Sequence, residues 1–258
     1  MPIMASALYR DMLNFTRNQF ASIALLALLT ALISVLLGHV LSPNTDQLAI
    51  IGGESSGLSD SANMSLQELV QQLSPEQQKI LLKASAAGTF AGLMGNVILA
   101  GGLLTMIRLV SKRQSVSVIR AIGLSAPVLP RLLLLIFVTT LLVQLGLLLI
   151  VVPGVLLAIA FSLAPIIAAS ENLGIFKSMR LSSKMAFANL RLVTPAVVAW
   201  LLAKAVVLLL ASQFTQVSSL LSAVLLNGLS NFVSALLLIY LYRLYMLLRQ
   251  DNAHIGAS

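Results

Sequence analysis

Long apolar runs alternate with short polar segments along the whole chain, and each run is about as long as a bilayer is thick. An α-helix needs roughly 20 apolar residues to cross the hydrocarbon core. By that measure the pattern predicts spans near 20–40, 84–110, 132–152, 155–170, 192–211 and 221–246. Residues 132–169 carry no charge, and one helix of that length would greatly overshoot the core. Pro153-Gly154 near the middle of the run predicts a tight turn between two spans. Residues 42–83 form the long polar segment, with Asp46, Glu54, Asp60, Glu68 and Glu76. Within it, Ser65-Leu66-Gln67-Glu68 and Ser74-Pro75-Glu76-Gln77 both fit capping boxes that start helices. Met1–Gln19 reads as an amphipathic lead-in at the membrane interface, and residues 251–258 as a tail. The predicted fold is all-α, a polytopic transmembrane helical bundle of about six spans forming one integral membrane domain over residues 1–250.

Composition agrees with lipid as the surrounding solvent. The chain is 59% hydrophobic and 9% charged, with a mean hydropathy of +0.99. A water-facing surface takes roughly 25% charged residues, and this chain does not have them. Phe20–Val40 exceeds the usual apolar core of a signal peptide and no A-x-A-like site follows, so an uncleaved anchor helix is expected.

The net charge of +8 falls in clusters between the apolar runs, which favours membrane topology over nucleic acid. With the N-terminus cytoplasmic, one side holds Arg10, Arg17, Arg108, Lys112, Arg113, Arg120, Arg131, Lys177, Arg180, Lys184, Arg191, Arg243 and Arg249. The other holds Lys79 and Lys83. That asymmetry predicts both termini cytoplasmic and residues 42–83 extracytoplasmic. Tyr240, Tyr242 and Tyr245 beside Arg243 fit an interfacial aromatic belt. Lys177, Arg180, Lys184 and Arg191 share one side of a helix, with Ile175, Phe176, Met179 and Phe187 mainly on the other. This fits either a helix lying on the bilayer with its cations at lipid head groups, or a solvated charged loop. Arg120 and Arg131 are spaced as Arg180 and Arg191 are, which would relate the segments around them as a parallel repeat.

Catalytic chemistry finds no residues to work with. The chain has no cysteine, no aspartate within a span, and histidines only at His39 and His254. No metal-ligand spacing and no phosphate-cradling glycine loop occurs, so neither an enzyme activity nor a cofactor is expected. Lys204 lies well inside a predicted span, where a charge is costly and marks a candidate site. Gln144, Asn96, Asn227 and Asn231 are its candidate partners, although a lysine stem also snorkels to the interface. Gly88 and Gly92 form a small-xxx-small stripe suited to close helix packing, within the chain or against a second copy. Pro165 bends its span and frees a carbonyl.

Tyr9-Arg10-Asp11, Arg17-Asn18-Gln19-Phe20, Ser74-Pro75-Glu76-Gln77-Gln78, Leu99-Ala100-Gly101-Gly102, Arg120-Ala121-Ile122-Gly123, Val151-Val152-Pro153-Gly154 and Arg243-Leu244-Tyr245-Met246 together resemble the YciC family. The likeness runs from about Tyr9 to Gln250 and implies a multi-pass protein of the Gram-negative inner membrane, with no assigned activity. More distantly, Pro153-Gly154, Ala164-Pro165, Glu171-Asn172-Leu173-Gly174 and Arg180-Leu181-Ser182 are similar to membrane domains fused to some glycerophosphodiester phosphodiesterases, whose catalytic barrel is missing here. The expected function is non-enzymatic: envelope support, or binding of membrane lipids or partner proteins. The alternative is a small transporter or channel built around Lys204.

Overall fold

The computed structural model describes residues 4–43, 73–114, 117–149, 151–171, 173–211 and 219–255. Among these residues there is no strand. The helices are α1 (Ala5–Asn18), α2 (Phe20–Leu41), α3 (Pro75–Ser111), α4 (Val118–Ser125), α5 (Leu129–Leu149), α6 (Val151–Phe161), α7 (Ala164–Glu171), α8 (Ile175–Ala188), α9 (Leu190–Ala211) and α10 (Ser219–Ile255). Among the described residues six stretches are long and apolar enough to cross a membrane: α2, α3, α5, α6 with α7, α9, and Leu220–Gln250 of α10.

The chain forms two compact units, residues 33–92 and the remainder. In the smaller unit the Ser74 N–H donates to Gln77 Oε1 at 2.9 Å, and the Gln77 N–H donates to Ser74 Oγ at 3.3 Å. This reciprocal cap, with Pro75 opening α3, is the sequence signature realised. The Ser65–Glu68 box lies outside the described residues. Gly38 comes close to Ala91, whose Cβ would lie 3.6 Å from a Cβ at residue 38.

Along the chain the described helices fall into three consecutive sets, each a short helix followed by two spanning segments. The first and third sets match in length, with helices of 14, 22 and 37 residues in each. The links inside them also match: Gln19 has φ −117° and ψ 21°, Asn189 φ −125° and ψ 36°. The middle set is α4, α5 and the broken span α6–α7. Buried positions repeat too. Ile23, Leu26 and Ala27 on α2 correspond to Leu132, Leu135 and Ile136 on α5, and to Val193, Ala196 and Val197 on α9. This is the i, i+3, i+4 spacing of one helix face. The buried positions of α5 and α9 correspond at an offset of 61 residues, one more than the sixty that separates the arginine pairs, and α2 shares the same spacing.

α5 ends at Leu149 and α6 begins at Val151, so Pro153-Gly154 lies inside α6 and not between the two spans. Pro153 sits in the first turn of α6, where a missing N–H costs little. Gly154 serves packing instead. A Cβ there would fall 2.5 Å from Leu147 Cγ, and one on Gly146 would fall 2.9 Å from Gly154 Cα. The two glycines let the helix backbones close together.

The amphipathic lead-in becomes α1, which packs against α10. Tyr9 and Tyr240 stack with ring centroids 4.9 Å apart, and Arg243 Nε meets Asp11 Oδ2 at 2.9 Å. The aromatic belt reading is corrected for two of its members. Tyr240 and Tyr245 are 1% exposed, and their hydroxyls donate to the Leu192 carbonyl and the Glu171 carboxylate. Burial satisfies a polar tip that an interface would otherwise hydrate.

Candidate mid-membrane site and cationic helix

Lys204 on α9 meets none of the amides expected around it. Its Nζ donates to Ser230 Oγ at 2.5 Å and lies 5.6 Å from the Trp200 ring centroid. The Trp200 indole N–H donates to Ser234 Oγ at 3.3 Å, and Ser234 returns a bond to the Ser230 carbonyl at 3.1 Å. This compact α9–α10 network pairs the cation through a hydroxyl and a ring face.

The four amides are scattered. Asn231 is buried and donates to Thr30 Oγ1 at 3.0 Å and to the Ala27 carbonyl at 3.4 Å. Asn227 is exposed and donates to its own Ala223 carbonyl at 2.8 Å. Asn96 is exposed on α3. Gln144 lines a cavity of about 290 Å³ between α5, α6, α7, α9 and α10. Helical phase on α10 explains the division, because Ser230 and Asn231 point to different neighbours.

The same cavity is lined by Thr139, Thr140, Ser162, Pro165 and Trp200, with Phe161 and apolar side chains completing the wall. Lys204 does not line it. The Thr139 hydroxyl donates to the Leu135 carbonyl at 2.9 Å, and the Ser162 hydroxyl to the Ile159 carbonyl at 2.8 Å. Such back-bonding occupies the proton and leaves oxygen lone pairs available. Between α6 and α7 the helix is interrupted at Ser162–Leu163, just before Pro165. Pro165 has no N–H, so the Phe161 carbonyl lacks its helical donor. The neighbouring Ala160 carbonyl is met by the Ser182 hydroxyl at 2.6 Å.

A second polar node closes α7. The Arg108 guanidinium donates to the Ala169 carbonyl at 2.5 Å and to Ser170 Oγ at 3.4 Å, and Arg131 donates to the Ala168 carbonyl at 3.3 Å. Cations thereby meet the negative end of a helix dipole.

The cationic helix is α8, with Lys177, Arg180 and Lys184 exposed. It ends at Ala188, so Arg191 belongs to the first turn of α9, where it is exposed. The expected apolar side divides. Met179 packs inward beside buried Ser178, Ser182 and Ala186, whereas Phe176 is 80% exposed and Phe187 is exposed as well. Small residues hold α8 on the bundle.

Gly88 and Gly92 are exposed, and a Cβ on either would meet no described atom within 4 Å. The close glycine contacts lie at Gly101, Gly102, Gly146, Gly154 and Gly228. Sequence reading did not single out Thr30, Thr139, Ser162, Trp200 or Ser230. Their one signal was a polar or indole group in mid-run, which back-bonding makes commonplace.

Six apolar helical stretches packed through small residues and buried hydroxyls define a polytopic α-helical membrane protein. Over residues 1–247 the chain matches the Uncharacterised protein family UPF0259, for which YciC is a synonym, and it belongs to that family. It is 77% identical over 250 residues to a UPF0259 membrane protein of Sodalis glossinidius, covering 97% of this chain and 100% of the relative. A relative from Serratia proteamaculans is 58% identical over 249 residues, covering 96% and 100%. One from Yersinia pestis is 52% identical over 249 residues, covering 96% and 97%. No solved structure matches the chain.

Proposed function

We propose that this is a non-enzymatic protein of the Gram-negative inner membrane that binds anionic lipid head groups on its cytoplasmic side, with both termini cytoplasmic. The observation that carries the reading is α8. Ser178, Ser182 and Ala186 fix it to the bundle, leaving Lys177, Arg180 and Lys184 exposed on the same helix as exposed Phe176 and Phe187. Cations above an apolar fringe suit the head-group region, each Lys or Arg contributing about 1 kcal/mol near an anionic surface. The one-sided distribution of basic residues supports this orientation. Membrane lipids are the partners this implies. Other membrane proteins or a second copy remain secondary, and nucleic acid has no place.

A transporter centred on Lys204 draws less support, since its Nζ is engaged by Ser230 and Trp200 and the cavity nearby is not lined by it. The test is native mass spectrometry of the full chain released from nanodiscs of mixed phosphatidylglycerol and phosphatidylethanolamine. The wild type is expected to retain phosphatidylglycerol preferentially. The triple variant Lys177→Gln, Arg180→Gln, Lys184→Gln is expected to lose that preference. Equal retention by both proteins would remove the reading.

A further inference from the structure

The cavity beside the α6–α7 break has mid-span residues in its walls and extends to Leu147 and Gly154 near the ends of their spans. Thr139 is central in Leu129–Leu149, Ser162 in Val151–Glu171 and Trp200 in Leu190–Ala211. Interrupted backbone is tolerated at that depth where it is buried in protein or lines a cavity. Discontinuous helices at the midplane, between repeated segments, are a common way to build an intramembrane site. Here the break faces the second and third helix sets.

The wall chemistry specifies the guest. No ionisable side chain lines the cavity, so at hydrocarbon depth the guest is uncharged. The polar groups beside the α6–α7 break are acceptors, while Thr140 and Gln144 are further polar side chains of the wall along α5. Thr139 and Ser162 have donated their protons to their own helices, the Trp200 N–H is spent on Ser234, and the Phe161 carbonyl has no helical donor. The repeat provides an internal comparison. Thr30 stands on α2 where Thr139 stands on α5, and both donate backwards, to Leu26 and Leu135 at 2.9 Å each. The Thr30 oxygen is met by the Asn231 amide N–H at 3.0 Å. At Thr139 a cavity occupies the place of that donor. Apart from Thr140 and Gln144 the rest of the wall is apolar, and it follows α5 from Thr139 to Leu147, roughly 12 Å at 1.5 Å per residue.

We propose that this cavity binds one uncharged, chain-like amphiphile whose hydroxyl donates to the acceptors at the α6–α7 break and whose apolar chain lies along α5. The site is separate from the cationic face of α8, so failure of head-group binding leaves it standing.

Trp200 is the sole tryptophan of the chain and lines the cavity, which makes the full-length protein its own reporter. A terminally brominated fatty alcohol is titrated against the protein in nanodiscs, with the matched bromoalkane in parallel. Quenching by the alcohol is expected to saturate at concentrations about fivefold lower than for the alkane, the ratio that one net hydrogen bond gives. Trp200 also lines a smaller cavity of about 180 Å³ with Tyr9 and Tyr240. Ala158→Phe fills only the larger one, and is expected to abolish saturable quenching. Pro165→Ala returns an N–H to Phe161 and is expected to remove the preference for the alcohol. Where Pro165→Ala does not yield monodisperse protein, Thr139→Val poses the same question by deleting an acceptor. Unsaturable quenching alike for both probes, or an alcohol preference unchanged in these variants, overturns the proposal.

Discussion

The side-chain amide of Asn231 donates to the Thr30 hydroxyl oxygen at 3.0 Å, joining α10 to α2 across 201 residues of sequence. Both residues are buried, and Thr30 passes its own proton back to the Leu26 carbonyl. Hydrogen bonds between membrane helices contribute about 0.6 kcal/mol on average and up to about 1.7. Asn231→Leu is therefore expected to lower stability by about 1 kcal/mol in a denaturation series in mild detergent. Thr30→Val should cost a similar amount, and the double variant should cost less than the two combined. Additive losses would show that the pair does not interact.

Glycine substitutions separate packed positions from free ones. Gly154→Ala places a Cβ 2.6 Å from the Leu147 backbone nitrogen, which cannot turn aside. Overpacking of this kind costs about 1–3 kcal/mol, seen as a lower melting temperature. Gly88→Ala and Gly92→Ala meet no described atom and should be neutral or stabilising, because alanine is the better helix former. Destabilisation at Gly88 or Gly92 would point instead to a contact with another copy.

Arg108 tests the capping of α7. Its guanidinium reaches the Ala169 carbonyl and Ser170 Oγ together, which a methionine cannot do. Arg108→Met should cost about 1.5–3 kcal/mol, the range for hydrogen bonds that involve a charged group. Arg108→Lys should recover part of that. A methionine variant as stable as wild type would exclude the cap as a stabilising element.

Topology is open to direct labelling because the chain has no cysteine. A cysteine in place of Lys79 is expected to react with a membrane-impermeant maleimide in intact spheroplasts. One in place of Ser183 on α8 should react only after permeabilisation. The reverse pattern would invert the proposed orientation and the head-group reading with it.

Much of this protein was legible from local pattern. Spans, the Ser74 cap and the amphipathic helix before Phe20 follow from apolar run length and from side-chain hydrogen bonds within four residues. Pro153-Gly154 misled because a proline in a first helical turn is as acceptable as one in a loop. Lys204 stands out in the sequence as a costly charge, but its partners do not. Serines are too common in helices to stand out, and which of them faces α9 depends on the rotation of α10.

The sequence by itself determined that lipid surrounds most of the chain and where it crosses, because those properties depend on summed transfer energies that need no knowledge of neighbours. Tertiary structure alone decided that Gly154 packs against Leu147, that Tyr245 turns inward to Glu171, and that Thr30 is closed by Asn231 while Thr139 faces a cavity. In an apolar solvent helix association depends on shape and on a few buried polar contacts. Which residues supply them is set by helix rotation and register, quantities that run length and composition do not contain.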